Sequence, residues 1–280
     1  MQFYRLIESK SMIFVSLIEV QYLMWFKSKA FLKFLWHSKN QHGIHSPFVY
    51  KLITKCFYNK ENFEAYDLWD MAKKVCLKSD EVLKVEDVGA GSKVFKTNLR
   101  PVSKIAKHVS ISRKRARLMT RLVDYLSVKV ALELGTSIGL GSVSIAGSGQ
   151  AHLKTIEACS ATSAYAQSQF QKLNLPHITS INSSFAESLA GLNSEEKFDL
   201  IYIDGHHDGE ATLTYFDSLL KHKHNDTLFV FDDIHWSPSM NMAWEAIKAH
   251  QEVQVTIDTF QWGLVFFRKE QVKQDFVIRV

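Results

Sequence analysis

Val130-Ala131-Leu132-Glu133-Leu134-Gly135-Thr136-Ser137-Ile138-Gly139-Leu140-Gly141-Ser142 runs from an apolar stretch through a single acid into glycine-spaced small residues. An apolar run closed by glycine reads as a buried strand turning into a helix. Gly135 and Gly139 lack a Cβ, so the backbone can turn sharply and a ligand can lie against it, facing the N–H groups of the next helix. The pattern predicts a nucleotide-type pocket, although an ordinary tight strand-to-helix turn has the same appearance. The acid separates two kinds of pocket. A dinucleotide fold uses G-x-G-x-x-G and keeps its acid about 20 residues further on. Here Glu133 comes before the first glycine, in the order E-x-G-x-x-x-G.

Downstream of Ser127, short apolar runs alternate with helical segments, as a parallel doubly wound sheet requires. Strands are expected over 128–134, 152–157, 177–182, 198–203, 227–231, 254–259 and 263–268. The short link Phe260-Gln261-Trp262 makes the last two a hairpin, so an antiparallel strand ends the series. Glu157 closes the second strand, where a carboxylate can accept both hydroxyls of a ribose. The fourth strand ends in Ile203-Asp204-Gly205-His206-His207 and the fifth in Asp232-Asp233-Ile234-His235. Those acids and histidines meet at the carboxyl edge of the sheet, where open α/β sheets bind ligands. Carboxylates sharing one edge repel unless hydrogen bonds or a cation compensate. A hard divalent ion would suit them, and loop or helix capping by Asp204 and Asp233 is the simpler alternative.

The E-x-G-x-x-x-G turn, the I-D-G-x-H strand end and the D-D-x-H strand end together resemble class I S-adenosylmethionine (SAM)-dependent methyltransferases. Small-molecule O-methyltransferases, including sugar and macrolide-sugar enzymes, are the most similar. The resemblance spans about Leu122 to Lys269 and implies an α/β, Rossmann-like fold: a seven-stranded, mostly parallel sheet with an antiparallel last strand, plus a helical N-terminal region. It implies that Glu133, Gly135, Thr136, Ser137 and Gly139 hold the methionine side of the cofactor, Glu157 the ribose, and Ser184 and Phe185 the adenine, with Asp204 nearby. Many relatives carry an aspartate where Ser184 stands. It further implies Asp204, Asp232 and Asp233 as ligands of the substrate or of Mg²⁺ or another divalent ion, His235 as general base and His207 as competing base. A neutral histidine can take a hydroxyl proton as a methyl group transfers to a small-molecule acceptor.

The front of the chain reads as helical. Ser46-Pro47 opens a helix running to about Phe57, Tyr66–Leu77 forms another, and Lys104–Leu126 continues with a break near Ser110 or Ser112. His42-Gly43-Ile44-His45-Ser46-Pro47-Phe48 and Asp87–Ser92 resemble segments before the same core in uncharacterised bacterial methyltransferases. Asp87–Ser92 imitates the cofactor turn, yet Lys84, Glu86 and Asp87 are too polar for a central strand, and a loop is expected. His42 and His45 are expected to make local hydrogen bonds in a capped turn. The organisation is a region 1–120, serving as lid, substrate wall or packing layer, before a SAM-binding domain 121–280. Met24 offers an alternative start, which would make 1–23 a weakly ordered extension.

Composition limits the other classes. With 46% hydrophobic residues the chain can build a real core. Cys56, Cys76 and Cys159 are widely spaced, which argues against a disulfide framework or zinc site and fits a reducing cytoplasm. Met12–Phe26 is apolar but contains Glu19 and Gln21 and is short for a bilayer span, and no signal cleavage site follows. Trp25–Lys39 mixes aromatics with lysines, which suits packing on the protein or contact with an anionic membrane surface. Arg113-Lys114-Arg115-Ala116-Arg117 with Arg121 would serve an RNA methyltransferase, but a solvated helix face explains it more simply. No nucleic-acid partner is therefore expected. A non-catalytic protein of this fold at a membrane surface is the remaining alternative.

Overall fold

The structure, a computed structural model, describes residues 21–86 and 97–280. The expected loop at Asp87–Ser92 and most of the leading extension lie outside the described residues.

Alternation along the strands builds two cores. In β3 (Val130–Leu134), β6 (Leu200–Ile203) and β7 (Leu228–Asp232), one set of side chains, Ala131, Leu200, Tyr202, Leu228 and Val230, enters one core. The intervening Leu132, Leu134, Ile201, Ile203, Phe229 and Phe231 enter the other. In these three strands the buried residues facing either way are apolar except Glu133 and Asp232 near the carboxyl ends, as a sheet covered on both faces requires. Helices α3 (Glu64–Leu77), α4 (Val102–His108), α5 (Arg113–Tyr125), α6 (Leu140–Ala146) and α7 (Ser160–Lys172) cover the first face. α8 (Phe185–Ala190), α9 (Gly209–Leu219) and α10 (Pro238–Ala249) cover the second.

The main sheet also contains β4 (His152–Glu157), β5 (Ile178–Asn182), β8 (Val255–Asp258), β9 (Trp262–Phe266) and β10 (Gln274–Val277). Its order is β10-β8-β9-β7-β6-β3-β4-β5. All seven expected strands are present, with ends within two residues of the sequence reading. β9 is antiparallel to β8, as the hairpin requires, and also to β7, so it lies between them. An eighth strand, β10, adds in parallel outside β8. Its Gln274-Asp275-Phe276-Val277 is short and mostly exposed or half-buried, and it therefore carries little of the apolar signal that marks the inner strands.

A helix over residues 21–37 (α1) is tied to this edge. Lys39 N–H donates to Val277 O at 2.8 Å, and Arg279 Nη2 donates to Leu35 O at 3.3 Å. Helix α2 (Pro47–Leu52) begins as its sequence requires, with Ser46 Oγ accepting from Val49 N–H, and passes into a π-helical turn, Ile53–Phe57. β1 (Val82–Lys84) and β2 (Leu99–Pro101) form a separate antiparallel ladder. The expected break falls between α4 and α5, where Ser112 caps the second helix. α5 runs through position 120, and its Leu118, Met119 and Leu122 share one core with the sheet.

Arg121 joins the helical front to α5. Its guanidinium donates to Cys56 O at 2.8 Å, Phe57 O at 3.1 Å and Tyr66 OH at 3.1 Å. A π-helical turn leaves carbonyls without ordinary helix partners, and charged donors to such groups are each worth about 1.5–3 kcal/mol. Arg121→Leu is expected to destabilise the protein by about 3 kcal/mol in urea unfolding with little change in m-value.

Candidate active site

The turn that follows β3 puts three residues in left-handed conformations: Gly135 at φ 107°, Ser137 at 49° and Gly139 at 86°. At Gly135 a Cβ would lie 1.9 Å from Asp204 O, and at Gly139 it would lie 2.7 Å from the Phe170 ring. Both positions therefore require glycine for space as well as for backbone angle. The turn opens onto a cavity of about 580 Å³ at the carboxyl edge of the sheet, within the size range of small-molecule sites. Gly135, Thr136 and Ser137 form one wall, Glu157 and Ser184 another, and Asp204, His207, Asp232 and Asp233 the far side.

Sheet register sets the chemistry of that far side. Ile203 pairs with Phe231, so the next residues, Asp204 and Asp232, end adjacent parallel strands on the same face. Helix α5 covers that face, and Arg115 Nη1 stands 2.5 Å from Asp232 Oδ1. Burial, the Asp232 charge and a hydrogen bond to Asp232 hold the Asp204 carboxyl well above the usual carboxylate range, while Arg115 pulls it down. The open 27% of the Asp204 side chain belongs to a residue lining the cavity, and Tyr202 OH donates to its Oδ2 at 2.9 Å. Burial and Asp232 raise Asp233 to about 6 against His207, Arg115 and Lys27. The arrangement places two carboxyl groups side by side with one guanidinium paired to Asp232.

Residues 132–234 match a family profile described as a methyltransferase domain. That stretch, β3 through the end of β7, is therefore similar to a methyltransferase domain. Solved structures share its fold. A Bacillus cereus O-methyltransferase in complex with SAH is 16% identical at TM-score 0.52, over 76% of this chain and 94% of that one. The SAH-bound Podospora anserina methyltransferase PaMTH1 is 14% identical at TM-score 0.55, over 81% and 97%. The Streptomyces achromogenes O-methyltransferase TomG, involved in tomaymycin synthesis and solved with SAM, is 14% identical at TM-score 0.53, over 74% and 91%. No curated protein matches the sequence.

Most of the residues expected to hold a cofactor line the cavity. Glu157 Oε2 accepts from Ser137 N–H at 2.8 Å and Oε1 from Cys159 N–H at 2.9 Å, and each oxygen keeps a lone pair for a ribose hydroxyl. Ser184 caps α8 in a reciprocal box with Glu187, and Phe185 packs under Gly205. Glu133 is placed differently. It is fully buried beneath the turn, accepting from Thr155 Oγ1 at 2.6 Å and from Ser142 Oγ, while Oε1 has no partner among the described residues. A Cβ at Gly141 would lie 2.4 Å from that oxygen. Glu133 therefore holds the turn from behind and does not line the cavity. The glycine cradle, the carboxylate at Glu157 and the cavity between them fit an adenosyl cofactor.

Two expectations are corrected. His235 does not line the cavity. Its Nδ1 meets Asn241 Oδ1 at 2.9 Å, its Nε2 meets Asp258 Oδ2 at 2.8 Å, and its ring stacks on Phe260 at 5.3 Å. Both nitrogens are engaged, so His235 links the segment after β7 to Asp258 at the end of β8 and to Asn241 of α10. The metal set fails as well. Among the described residues no three His, Cys, Asp or Glu side chains converge as a cation needs, and Arg115 already faces Asp232. Asp204, Asp232 and Asp233 in this arrangement do not fit a divalent ion.

Arg115, one of the basic run 113–117, lines the cavity. It stands i, i+3, i+4 and i+7 from the buried Leu118, Met119 and Leu122, so it lies on the core-facing stripe of α5. That placement is a signal for a buried partner, but the partner is 117 positions away. Its neighbours are also engaged: Arg113 and Arg117 pair with Asp70, and Lys114 reaches Val280 O. Trp236, which the sequence reading also passed over, lines the cavity with Lys27 Nζ 3.0 Å from its ring centroid. His42 and His45 are exposed, and His42 Nε2 contacts Gln41 Nε2 at 3.3 Å.

Burial raises Glu133 from 4.5 to about 7 despite the hydroxyls of Ser142 and Thr155, which lower it. The folded protein therefore keeps a proton that the unfolded chain releases near pH 4.5, and stability falls as pH rises toward 7. Across that window the stability difference between Glu133→Gln and wild type should shift toward the variant by on the order of 3 kcal/mol, read from urea unfolding at each pH.

Proposed function

We propose that the chain is a SAM-dependent methyltransferase that transfers a methyl group to a hydroxyl oxygen of a small, sugar-like acceptor, with His207 as general base. The observation that carries this reading is the single cavity onto which the Gly135–Gly139 turn, Glu157, Asp204 and His207 all open. O-methyltransferases among the structural neighbours support it. When bound, SAM supplies an activated methyl group on a sulfonium sulfur. The turn and Glu157 would hold its methionine and ribose portions, and Ser184 and Phe185 its adenine side.

The chain's own residues then position the acceptor and move one proton. His207 lines the cavity with 31% of its side chain open, and neither ring nitrogen is hydrogen-bonded among the described residues. Its Nε2 lies 3.9 Å from Asp204 Oδ1, too long for a hydrogen bond, and the Asp233 carboxyl is close enough for the two charges to favour each other. A hydroxyl placed beside His207 would give up its proton there as oxygen gains the methyl group, leaving a methyl ether. Arg115, paired to Asp232, supplies the positive charge that a divalent ion would otherwise bring to this edge. Residues Arg100, His108 and Ile111 from the helical front line the same cavity, and we assign region 21–120 the role of acceptor-side wall.

Calorimetry is expected to show SAM binding to wild type and to His207→Ala alike, while His207→Ala loses about 10²–10⁴-fold in turnover of an acceptor found by methyl-donor assay on a metabolite extract. His235→Ala should keep turnover within a few-fold and lose about 2 kcal/mol of stability through its two hydrogen bonds. Absence of SAM binding, or unchanged turnover in His207→Ala, would contradict the assignment.

Turnover should also survive EDTA treatment. Inactivation by EDTA that Mg²⁺ restores would put a cation at Asp204 and Asp233 in spite of Arg115.

A further inference from the structure

Helix α1 has two apolar faces, and only one of them is used by the fold. Phe34 is buried, meeting Phe260 at 5.5 Å, and Leu23, Phe26 and Ala30 lie half-buried on the same side. The opposite side carries Met24, Trp25, Leu32, Leu35 and Trp36, with Trp25 60%, Leu32 67% and Trp36 87% exposed. Bulky residues at such exposure, repeated along one helix, form the kind of patch a monomeric soluble protein rarely leaves bare.

Charge points to what covers it. No Asp or Glu stands between Glu19 and Glu61, whereas Lys27, Lys29, Lys33, Lys39, Lys51 and Lys55 do. Lys29 and Lys33 lie along one margin of the apolar stripe, both exposed, and Lys29 Nζ sits 5.1 Å from the Trp25 ring centroid. Its aliphatic stem thus follows the apolar surface while its charge stays at the rim. A second copy laid on this face would set lysines against lysines with no acid in α1 to pair them. An anionic lipid surface offers phosphates to the lysines and a headgroup layer to the tryptophans. No described helix is long and apolar enough to cross a membrane, so α1 would lie in the plane of the surface.

We propose that α1 docks the protein on the surface of an anionic lipid bilayer, with Trp25, Leu32 and Trp36 in the headgroup layer and Lys29 and Lys33 on lipid phosphates. The helix is fixed to the body through Phe34 and through Arg279, which also donates to Ser38 Oγ at 3.0 Å. It also reaches the cavity wall, where Lys27 lies over Trp236. A docked protein would therefore hold its cavity close to the interface. This surface stands apart from the methyl-transfer reading and can be tested without turnover.

The test is co-sedimentation of the full chain with phosphatidylcholine vesicles, with and without phosphatidylglycerol, at low and high salt. Binding is expected only to the phosphatidylglycerol vesicles and is expected to weaken as salt rises. Lys29→Gln with Lys33→Gln should lower affinity by about fivefold per lysine. Trp25→Ser with Trp36→Ser should release the protein, with thermal unfolding unchanged because these side chains are exposed. No binding to phosphatidylglycerol vesicles would overturn the proposal, as would variants that bind like wild type. A concentration-dependent dimer, or salt-sensitive RNA binding, that these variants abolish while vesicles capture nothing would overturn it in favour of another partner.

Discussion

Two carboxyl groups, Asp204 and Asp232, end adjacent parallel strands in register and on the same face, and the surroundings of the cavity answer to that placement. Neighbouring strands lie about 4.8 Å apart, too close for two poorly hydrated carboxylates to remain fully ionised without compensation. Arg115 pairs with Asp232, and burial beside that group holds the Asp204 carboxyl well above the usual carboxylate range. For Arg115 to reach that far, α5 must lie across the carboxyl end of β7. Its apolar stripe, packed in the core with the sheet, holds it there. Tyr202, fully buried on the same face, adds the hydrogen bond that orients Asp204.

Backbone conformation is most demanding at the same edge. Ser137, His206, His207, Asp233 and Phe260 all have positive φ without being glycine, and all follow strands at or beside the cavity or in the neighbouring β8–β9 turn. Such conformations cost about 1 kcal/mol or more each and persist where the surrounding contacts over-determine them. The contacts are visible here. Ser137 N–H is held by Glu157, and Phe260 is clamped between Phe31, Phe34 and His235. The packing of α1 on the hairpin and the orientation of His235 are thus parts of one aromatic contact. That contact explains why a histidine beside an acid motif lies within the frame around the cavity.

Local sequence was a reliable guide wherever a neighbour within a few positions supplies the energy. The Ser46 cap, the helix break near Ser112, the glycine turn at 135–139, the apolar strands and the β8–β9 hairpin all depend on short-range stereochemistry or on burial of both faces, and each was legible. β10 was not, because an edge strand buries little and needs little apolar character. Glu133 was legible as a member of the turn but not as a buried brace. Whether a carboxylate faces a cavity or the helix behind it depends on which side of β3 its position falls, and on Ser142 and Thr155 being there to receive it.

Residue order alone was enough to establish a doubly wound sheet with a glycine turn after its first strand, acids at three strand ends and an antiparallel strand near its close. Strand and turn propensities act over a few residues, and the apolar pattern admits few arrangements. The division of labour among the charged groups had to await the folded chain. Arg115 meets Asp232 across 117 positions, and His235 meets Asp258 across 23. Those encounters follow from strand register and helix placement, quantities that belong to the assembled sheet, and they determine which side chains are paired within the frame and which line the cavity.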